Sequence, residues 1–449
     1  MINTPNYSAL EISREVFSLG LNLLRMNLIP SASFHFRKAL SFDPLFTDAA
    51  LHLAHCLHLE KKFVSALEIY DQLISDSRQN AHILNNRGNT LLEMCRYQEA
   101  AGSFEQALEL APDLHDARVA LATCYQAMGL IEEALAACDA VLAAAPDNAE
   151  AHWNRALLLL LRGDYQAGWK EYEWRWQKRN FTSPRRDFQQ PRWNGEPAQG
   201  KTILVHAEQG FGDTLQFCRY LPLLTDRGAR VIFECHPPLV SLLRSIDSRI
   251  VVLGQGNPLP SFDLHLPLLS LPMIFDTSLK TIPVNIPYLK SSADISDFSY
   301  LFDTHKFKIG ICWAGKSYPD PGRSCPAELL APLGELDGIA WYSLQTQGKE
   351  IPPFPMTDLE PVIKDFNDTA MLMEHLDLVI TVDTAVAHLA GAMGKPAWIM
   401  LPYAPDWRWM MERNDSPWYP SMRLFRQPKS GFWYDVIKEV ASVLSSKLP

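Results

Sequence analysis

Three short stretches hold residues whose types and spacing can do chemistry. "HAEQGFGDTLQF", His206 to Phe217, follows the apolar run Thr202 to Val205 and places Gly210 and Gly212 ahead of an amphipathic helix, with Asp213 at its start. A dinucleotide loop needs a third small residue after G-x-G, and Leu215 stands there instead. Asp213 also sets a negative charge where a pyrophosphate would meet the helix N-terminus. Two readings of Asp213 stay open: a capping or first-turn carboxylate that stabilises the helix, and a general base that takes a proton from an acceptor hydroxyl. Glu234, near the end of the next strand, is suitably spaced for a ribose contact, which keeps a nicotinamide oxidoreductase as a weaker reading.

The second stretch is "TVDTAVAHLAGAMGKPAW", residues 381 to 398. An apolar strand ends in Asp383-Thr384-Ala385 and a helix begins there. Its first N–H groups, at Thr384, Ala385 and Val386, lack acceptors within the helix and, with the Thr384 hydroxyl, make a seat for phosphate. His388 lies one turn along on the same face, and reads equally as a ligand-side or a core-edge histidine. The third stretch, "WAGKSYPDPGRS", residues 313 to 324, sets Lys316 and Arg323 on a loop after a strand, as cations for a leaving diphosphate or as solvated loop charges.

These turns need strands to hold them. Apolar β-rich runs at 202–207, 230–235, 250–254, 262–266, 308–314, 340–345, 378–382 and 396–401 alternate with helical stretches. That pattern predicts parallel sheets with crossover helices. Two Rossmann-like halves facing a cleft follow, 201–290 and 307–449, closed by a helix through "FWYDVIKEVASVL". All three turns then fall at the carboxyl ends of strands, where such sheets bind ligands.

Ahead of them runs an array. Stepping by 34 residues finds Gly20, Ala54, Gly88, Ala122 and Ala156 in one register and Ala32, Ala66, Ala100, Ala134 and Gly168 in another. Phe36, Tyr70, Phe104, Cys138 and Tyr172 share a third, a ring at all but Cys138, and Pro44, Pro112 and Pro146 end units. Small residues let paired helices approach, the ring fills the gap, and proline stops the second helix. This spacing resembles the tetratricopeptide repeat, as five units over residues 13–182. The fold class expected is therefore α plus α/β, an α-solenoid followed by the two Rossmann-like halves. A stacked solenoid offers a groove for an extended peptide. Residues 183–200, "SPRRDFQQPRWNGEPAQG", lose periodicity and read as a linker.

Composition narrows the classes. A chain of 449 residues, 47% hydrophobic and 20% charged, is an ordinary globular protein of more than one domain. Its net charge of −10 is spread over both parts, so no basic domain marks a nucleic-acid partner. The apolar run Ala156 to Leu161 is far too short to cross a bilayer, and the N-terminus lacks the charge and apolar pattern of a secretory signal. Eight scattered cysteines without a C-x-x-C pair read as reduced core thiols, which places the expectation in the cytoplasm.

Taken together, "HAEQGFGDTLQFCRYLPLL", "WAGKSYPDPGRS" and "DTAVAHLAGAMGKPAW" resemble the ADP-heptose:lipopolysaccharide heptosyltransferase family, a glycosyltransferase of GT-B fold. The nearer likeness is to bacterial proteins in which tetratricopeptide repeats precede that domain. The resemblance implies a nucleotide diphosphate sugar as substrate, with no metal or cofactor, and a protein or glycan hydroxyl as acceptor. It implies Asp213 as base beside Gly210 and Gly212, and Asp383, Thr384, Ala385 and His388 at the donor, with Lys316 or Arg323 near the phosphates. Ala385 stands where the family often has glycine, and the N-terminal half is short for the family. The absence of any Asp-x-Asp in the chain agrees with transfer that uses fixed cations. More remotely, the order of domains resembles the protein O-linked N-acetylglucosamine transferases, where repeats feed a polypeptide to the cleft. The alternative expectation is a repeat scaffold whose transferase domain binds partners without turnover.

Overall fold

The computed structural model describes residues 8–76, 80–291, 295–316, 321–346 and 350–447. Internal packing divides the chain into two compact units, Met1–Asn154 and Arg155–Pro449, and the division falls inside a helix.

The first unit is a run of helical hairpins: α1 (Ala9–Arg25) with α2 (Ile29–Phe42), α3 (Thr47–Leu59) with α4 (Phe63–Ser75), α5 (Ala81–Glu93) with α6 (Tyr97–Leu110), and α7 (His115–Ala127) with α8 (Ile131–Ala144). The small-residue registers act by direct contact. A Cβ at Gly20 would lie 2.7 Å from the Phe36 ring, and one at Gly88 would lie 2.6 Å from that of Phe104. Phe36, Tyr70 and Phe104 are fully buried in consequence. A further periodic feature lies in the turns. Asn27, Lys61, Cys95 and Gly129 share one register position and all are left-handed, with φ of 59°, 60°, 57° and 76°. Only one of these four is a glycine, so sequence inspection passes over it.

The second unit begins within α9 (Ala149–Arg162), continues through α10 (Tyr165–Tyr172) and a 3-10 turn Glu173–Gln177, and then forms two parallel sheets. The first holds β1 (Thr202–His206), β2 (Arg230–Cys235), β3 (Val251–Gly254) and β4 (Leu264–Pro267) in the order β3-β2-β1-β4. The second holds β5 (Phe307–Cys312), β6 (Ile339–Ser343), β7 (Thr357–Asp358), β8 (Leu378–Val382), β9 (Ala397–Leu401) and β10 (Met422–Arg426) in the order β10-β9-β8-β5-β6-β7. Eight of the strands fall where the apolar runs place them. β7 and β10 lie outside the predicted runs: the first is two exposed residues, and the second, "MRLFR", is an edge strand beside β9 whose apolar residues are interrupted by Arg423 and Arg426. Both sheets reverse direction beside their first strand, between β1 and β4 and between β5 and β8. Such switch points are where the loops diverge and leave a crevice.

The helices of this unit are α11 (Phe211–Phe217), α12 (Leu221–Asp226), α13 (Val240–Leu243), α14 (Leu271–Ile274), α15 (Ala331–Gly334), α16 (Phe366–Glu374), α17 (Ala385–Ala392) and α18 (Trp433–Ser445). α18 buries Trp433, Val436, Ile437, Val440 and Leu444 against the core of β5, β8 and β9, as its periodicity predicts. Residues 183–200 are not a free tether. Arg192 bridges to His265 beside β4, the Trp193 N–H donates to the His265 carbonyl at 2.9 Å, and the Trp193 ring is buried. Among the described residues no helix is long and apolar enough to cross a membrane.

Candidate functional site

The turn after β1 carries Glu208, Gln209 and Gly210 into α11. Gln209 has a φ of 59°, a region that costs a side chain about 1 kcal/mol or more, so its surroundings must hold it there. They do. The Gln209 N–H donates to Ser183 Oγ at 2.7 Å, and its Nε2 donates to the Tyr172 hydroxyl at 2.8 Å. Next to it, the buried Glu208 carboxylate receives both Nε and Nη2 of Arg175 at 2.8 Å, and the Leu269 N–H at 3.0 Å. Tyr172 and Arg175 belong to the end of the repeat array, so the last hairpin holds the turn that leads to Asp213.

Asp213 stands in the first turn of α11. Its Oδ2 accepts the Gly210 N–H at 2.8 Å, which is the capping role. Its Oδ1 accepts from Nη2 of Arg408, a residue of the other half. Arg408 is buried and also donates to Gln216 Oε1 at 2.5 Å and Asp406 Oδ1 at 2.9 Å. Burial raises the Asp213 carboxyl above its ordinary value, and the Arg408 charge pulls it back. An acid raised in this way is a better base than a free aspartate once its guanidinium partner is drawn elsewhere.

The turn after β8 faces this pair. Thr384 is the N-cap of α17 in extended conformation and makes no side-chain cap, so the first N–H groups of α17 have neither a helical nor a capping acceptor. The Thr384 hydroxyl lies 3.2 Å from that of Thr381. Asp383 is pushed up to about 7 by burial and by the neighbouring Asp406 carboxylate. His388 is buried, with Nδ1 3.0 Å from the Tyr419 hydroxyl, Nε2 3.9 Å from Asp383 Oδ1, and its ring stacked on Trp409 at 5.6 Å. Burial and the Arg408 and Arg219 charges hold its imidazole well below the usual range, hence neutral. Gly212 meets this histidine directly: a Cβ there would lie 2.7 Å from His388 Cδ2. The glycine beside Asp213 is therefore what lets α11 and α17 touch.

The loop after β5 completes the cleft. Gly315 lies under both Arg323 and Thr384, since a Cβ there would meet Arg323 Nε at 3.1 Å and Thr384 Cγ2 at 3.3 Å. Arg323 turns back on the loop, donating from Nε at 3.1 Å and Nη2 at 2.8 Å to the Lys316 carbonyl. Gln345, at the end of β6, clasps the Ala314 backbone at both its N–H, 3.0 Å, and its carbonyl, 3.1 Å. The Lys316 side chain is exposed, and its charge is felt by His236 of the opposite half.

The sequence-chosen residues thus occupy one region: Gly212 on His388, Asp213 joined to the second half through Arg408, and Arg323 beside Thr384. Gly210 serves as the N-cap of α11, and Ala385 is the first residue of α17. Sequence reasoning missed Arg408, Asp406, Arg175 and Glu208. "APDWRW", Ala404 to Trp409, follows β9 at its carboxyl end, and that position was the available signal. For Arg175 and Glu208, 33 residues apart, nothing in the sequence pairs them.

Comparison with known proteins finds relatives of both parts of the chain. Residues 91–166 match the tetratricopeptide repeat family, and residues 356–401 match glycosyltransferase family 9 (heptosyltransferase). Protein FlbA of Caulobacter vibrioides is 26% identical over 487 residues, covering 95% of this chain and 77% of FlbA. Type IV pilus assembly protein PilF of Pseudomonas aeruginosa is 36% identical over 95 residues, 21% of this chain and 36% of PilF. The solved structure of Pseudomonas aeruginosa pilF covers 37% of this chain and 77% of its own, with 29% identity and a TM-score of 0.34.

Proposed function

For a chain in which tetratricopeptide repeats precede a domain similar to glycosyltransferase family 9, we propose transfer of a sugar from a nucleotide diphosphate donor to a protein or glycan hydroxyl. The observation that carries the reading is the Arg408 bridge, which joins the acid of one half to Asp406 on the loop after β9 of the other, where both charges act on Asp383 of the turn after β8. In this reading the donor diphosphate meets the N-terminus of α17 at Thr384 and Ala385, with Asp383 and His388 at its edge. Arg408 leaves Asp213 for the departing phosphate, and Lys316 and Arg323 add charge from the loop. Asp213, freed and raised by burial, takes the proton of the acceptor hydroxyl as that oxygen bonds to the sugar carbon and the bond to the diphosphate breaks. His388 is neutral and hydrogen-bonds rather than repels. The repeats recruit the acceptor or a partner as a peptide in their groove. Cysteines that are all free accord with a cytoplasmic setting.

The test is a thermal-shift panel of ADP, UDP and GDP and their sugar adducts, because a ligand of the folded state raises the melting point. Stabilisation by one nucleotide series, followed by transfer or hydrolysis that Asp213→Asn abolishes, is the expected result. No stabilisation by any of them sinks the donor site.

A second reading is a scaffold without turnover. It is favoured by one feature: both Asp213 oxygens are already engaged, by Arg408 and by the Gly210 N–H. It predicts nucleotide and peptide binding with no loss of the sugar from its diphosphate.

A further inference from the structure

The bridge between Asp213 and Arg408 has a residue with positive φ on each side of it. Gln209, just before α11, has a φ of 59°. Met410, close after Arg408, has a φ of 54° and a ψ of −177°, a combination that residues other than glycine rarely adopt. Neither position holds a glycine, so each turn stores strain that its neighbours must contain.

The neighbours that contain it lie at the two ends of α10. At its end, the buried Tyr172 accepts through its hydroxyl from Gln209 Nε2 at 2.8 Å. Ahead of its start, Gly163 lies under the Met410 side chain: a Cβ there would be 3.0 Å from Met410 Cε and 3.0 Å from Leu279 Cδ1. Between these ends α10 sets Tyr165 and Trp169 against Trp407, with ring centroids 6.2 and 5.3 Å apart. Trp407 opens the 3-10 turn Trp407–Trp409 that carries Arg408, and the Arg408 guanidinium rests on its ring at 4.4 Å. The peptide that sets the Met410 conformation is pinned as well. Arg426 Nη2 donates to the Trp409 carbonyl at 2.6 Å, and the Met410 N–H donates to the Trp407 carbonyl at 3.2 Å.

A strained backbone relaxes when its restraint is removed, and the residues beside it turn with it. Relaxation at Met410 rotates the turn that carries Arg408, and relaxation at Gln209 tilts the start of the helix that carries Asp213. Fold stability does not call for this arrangement, because glycine at either position removes the strain. We propose that α10 is a positioning element for the Asp213–Arg408 pair, and that Gln209 and Met410 are the two points through which it holds acid and guanidinium together. The effect on rate rests on the transferase reading; the held guanidinium does not.

The experiment compares alanine with glycine at both positions in the full chain. Alanine removes the contact with α10 and keeps the backbone strain, whereas glycine removes both. With isotope-labelled arginine, a guanidinium fixed by carboxylates gives resolved Nη signals in NMR, assigned to Arg408 by their absence from Arg408→Lys. Gln209→Ala and Met410→Ala broaden those signals and lower kcat by about tenfold or more at unchanged donor KM. Gln209→Gly and Met410→Gly keep the signals and lie nearer wild type in kcat. Side-chain packing alone predicts the opposite order, since glycine removes more than alanine. Tyr172→Phe, which takes away only the hydroxyl, broadens the signals too, and adding Gln209→Gly restores them; melting points of every variant separate this from unfolding. Arg408 signals that stay as in wild type in the alanine variants or in Tyr172→Phe overturn the proposal, as does equal loss in glycine and alanine variants. The expected order of signals without any sugar transfer leaves the positioning role standing and removes the transferase reading. Transfer with identical signals in all variants does the reverse.

Discussion

Arg408 donates to Asp213 from the opposite half of the second unit, and the same guanidinium holds Asp406 and Gln216. One buried cation therefore sits among an acid on α11, an acid of its own loop and an amide one turn beyond Asp213. Removing either end of such a pair leaves a charge without water or partner, which is costlier than never having had the pair.

Asp213→Asn is expected to keep nucleotide binding while lowering kcat by a factor of about 100 to 10,000, the usual loss for a general base. Arg408→Met should instead destabilise the fold by about 3 to 5 kcal/mol, because Asp213 and Asp406 both lose their cation. Rate measurements with the donor found by the thermal panel, and a denaturant titration, read the two. An Asp213→Asn enzyme with undiminished kcat eliminates the base.

Two buried groups give opposite pH dependences over one window. The folded state holds a proton on Asp383 up to about pH 7, while the unfolded chain releases it near pH 4. Stability from this group therefore falls as pH rises between those values, by on the order of 4 kcal/mol in total. His206 stays neutral down to about pH 3 when folded but is protonated below about pH 6.5 when unfolded, so it costs stability as pH falls. In thermal melts from pH 4 to pH 8, Asp383→Asn should gain on wild type with rising pH. His206→Gln should gain on wild type with falling pH. Parallel profiles for either variant would disprove the shift at that residue.

Arg175 and Glu208 form a bidentate pair with both side chains out of solvent. Arg175→Met or Glu208→Gln alone should cost about 3 to 5 kcal/mol, and the double variant less than the sum. Chemical denaturation of the four proteins closes the cycle. Since Glu208 and Gln209 lead into α11, the single variants should also raise hydrogen exchange at residues 208–213; additive losses with unchanged exchange would show that the pair does not position the turn.

The left-handed turn position of the array can be tested at Gly129, whose φ is 76°. Gly129→Ala should lower stability by about 1 kcal/mol or more, and Cys95→Gly, at the same register position with φ of 57°, should not. Melting points of both variants decide it, and an unaffected Gly129→Ala protein would contradict the strain argument.

The sequence alone carried the repeats, because helix pairing recurs every 34 residues and small residues facing rings leave a countable trace. It also carried eight strands, which stand out as β-rich apolar runs, and the turn after β8, since a strand ending at a helix start is local. The short β7 escaped because it is two exposed residues, and β10 because arginines interrupt its apolar residues. Arg408 escaped because nothing near it in sequence says which acid it will meet: Asp213 is 195 residues away, and only the closing of two sheets over one cleft brings them together. The same holds for Arg175 and Glu208. One closes the helical segment and the other follows β1, 33 residues on, and packing alone makes them meet. Local pattern fixes which strands and helices exist, since burial and hydrogen bonding within each are settled over a few residues. Which side chains share a charge, a proton or a ligand is decided by how those elements pack, and that was written only in the tertiary structure.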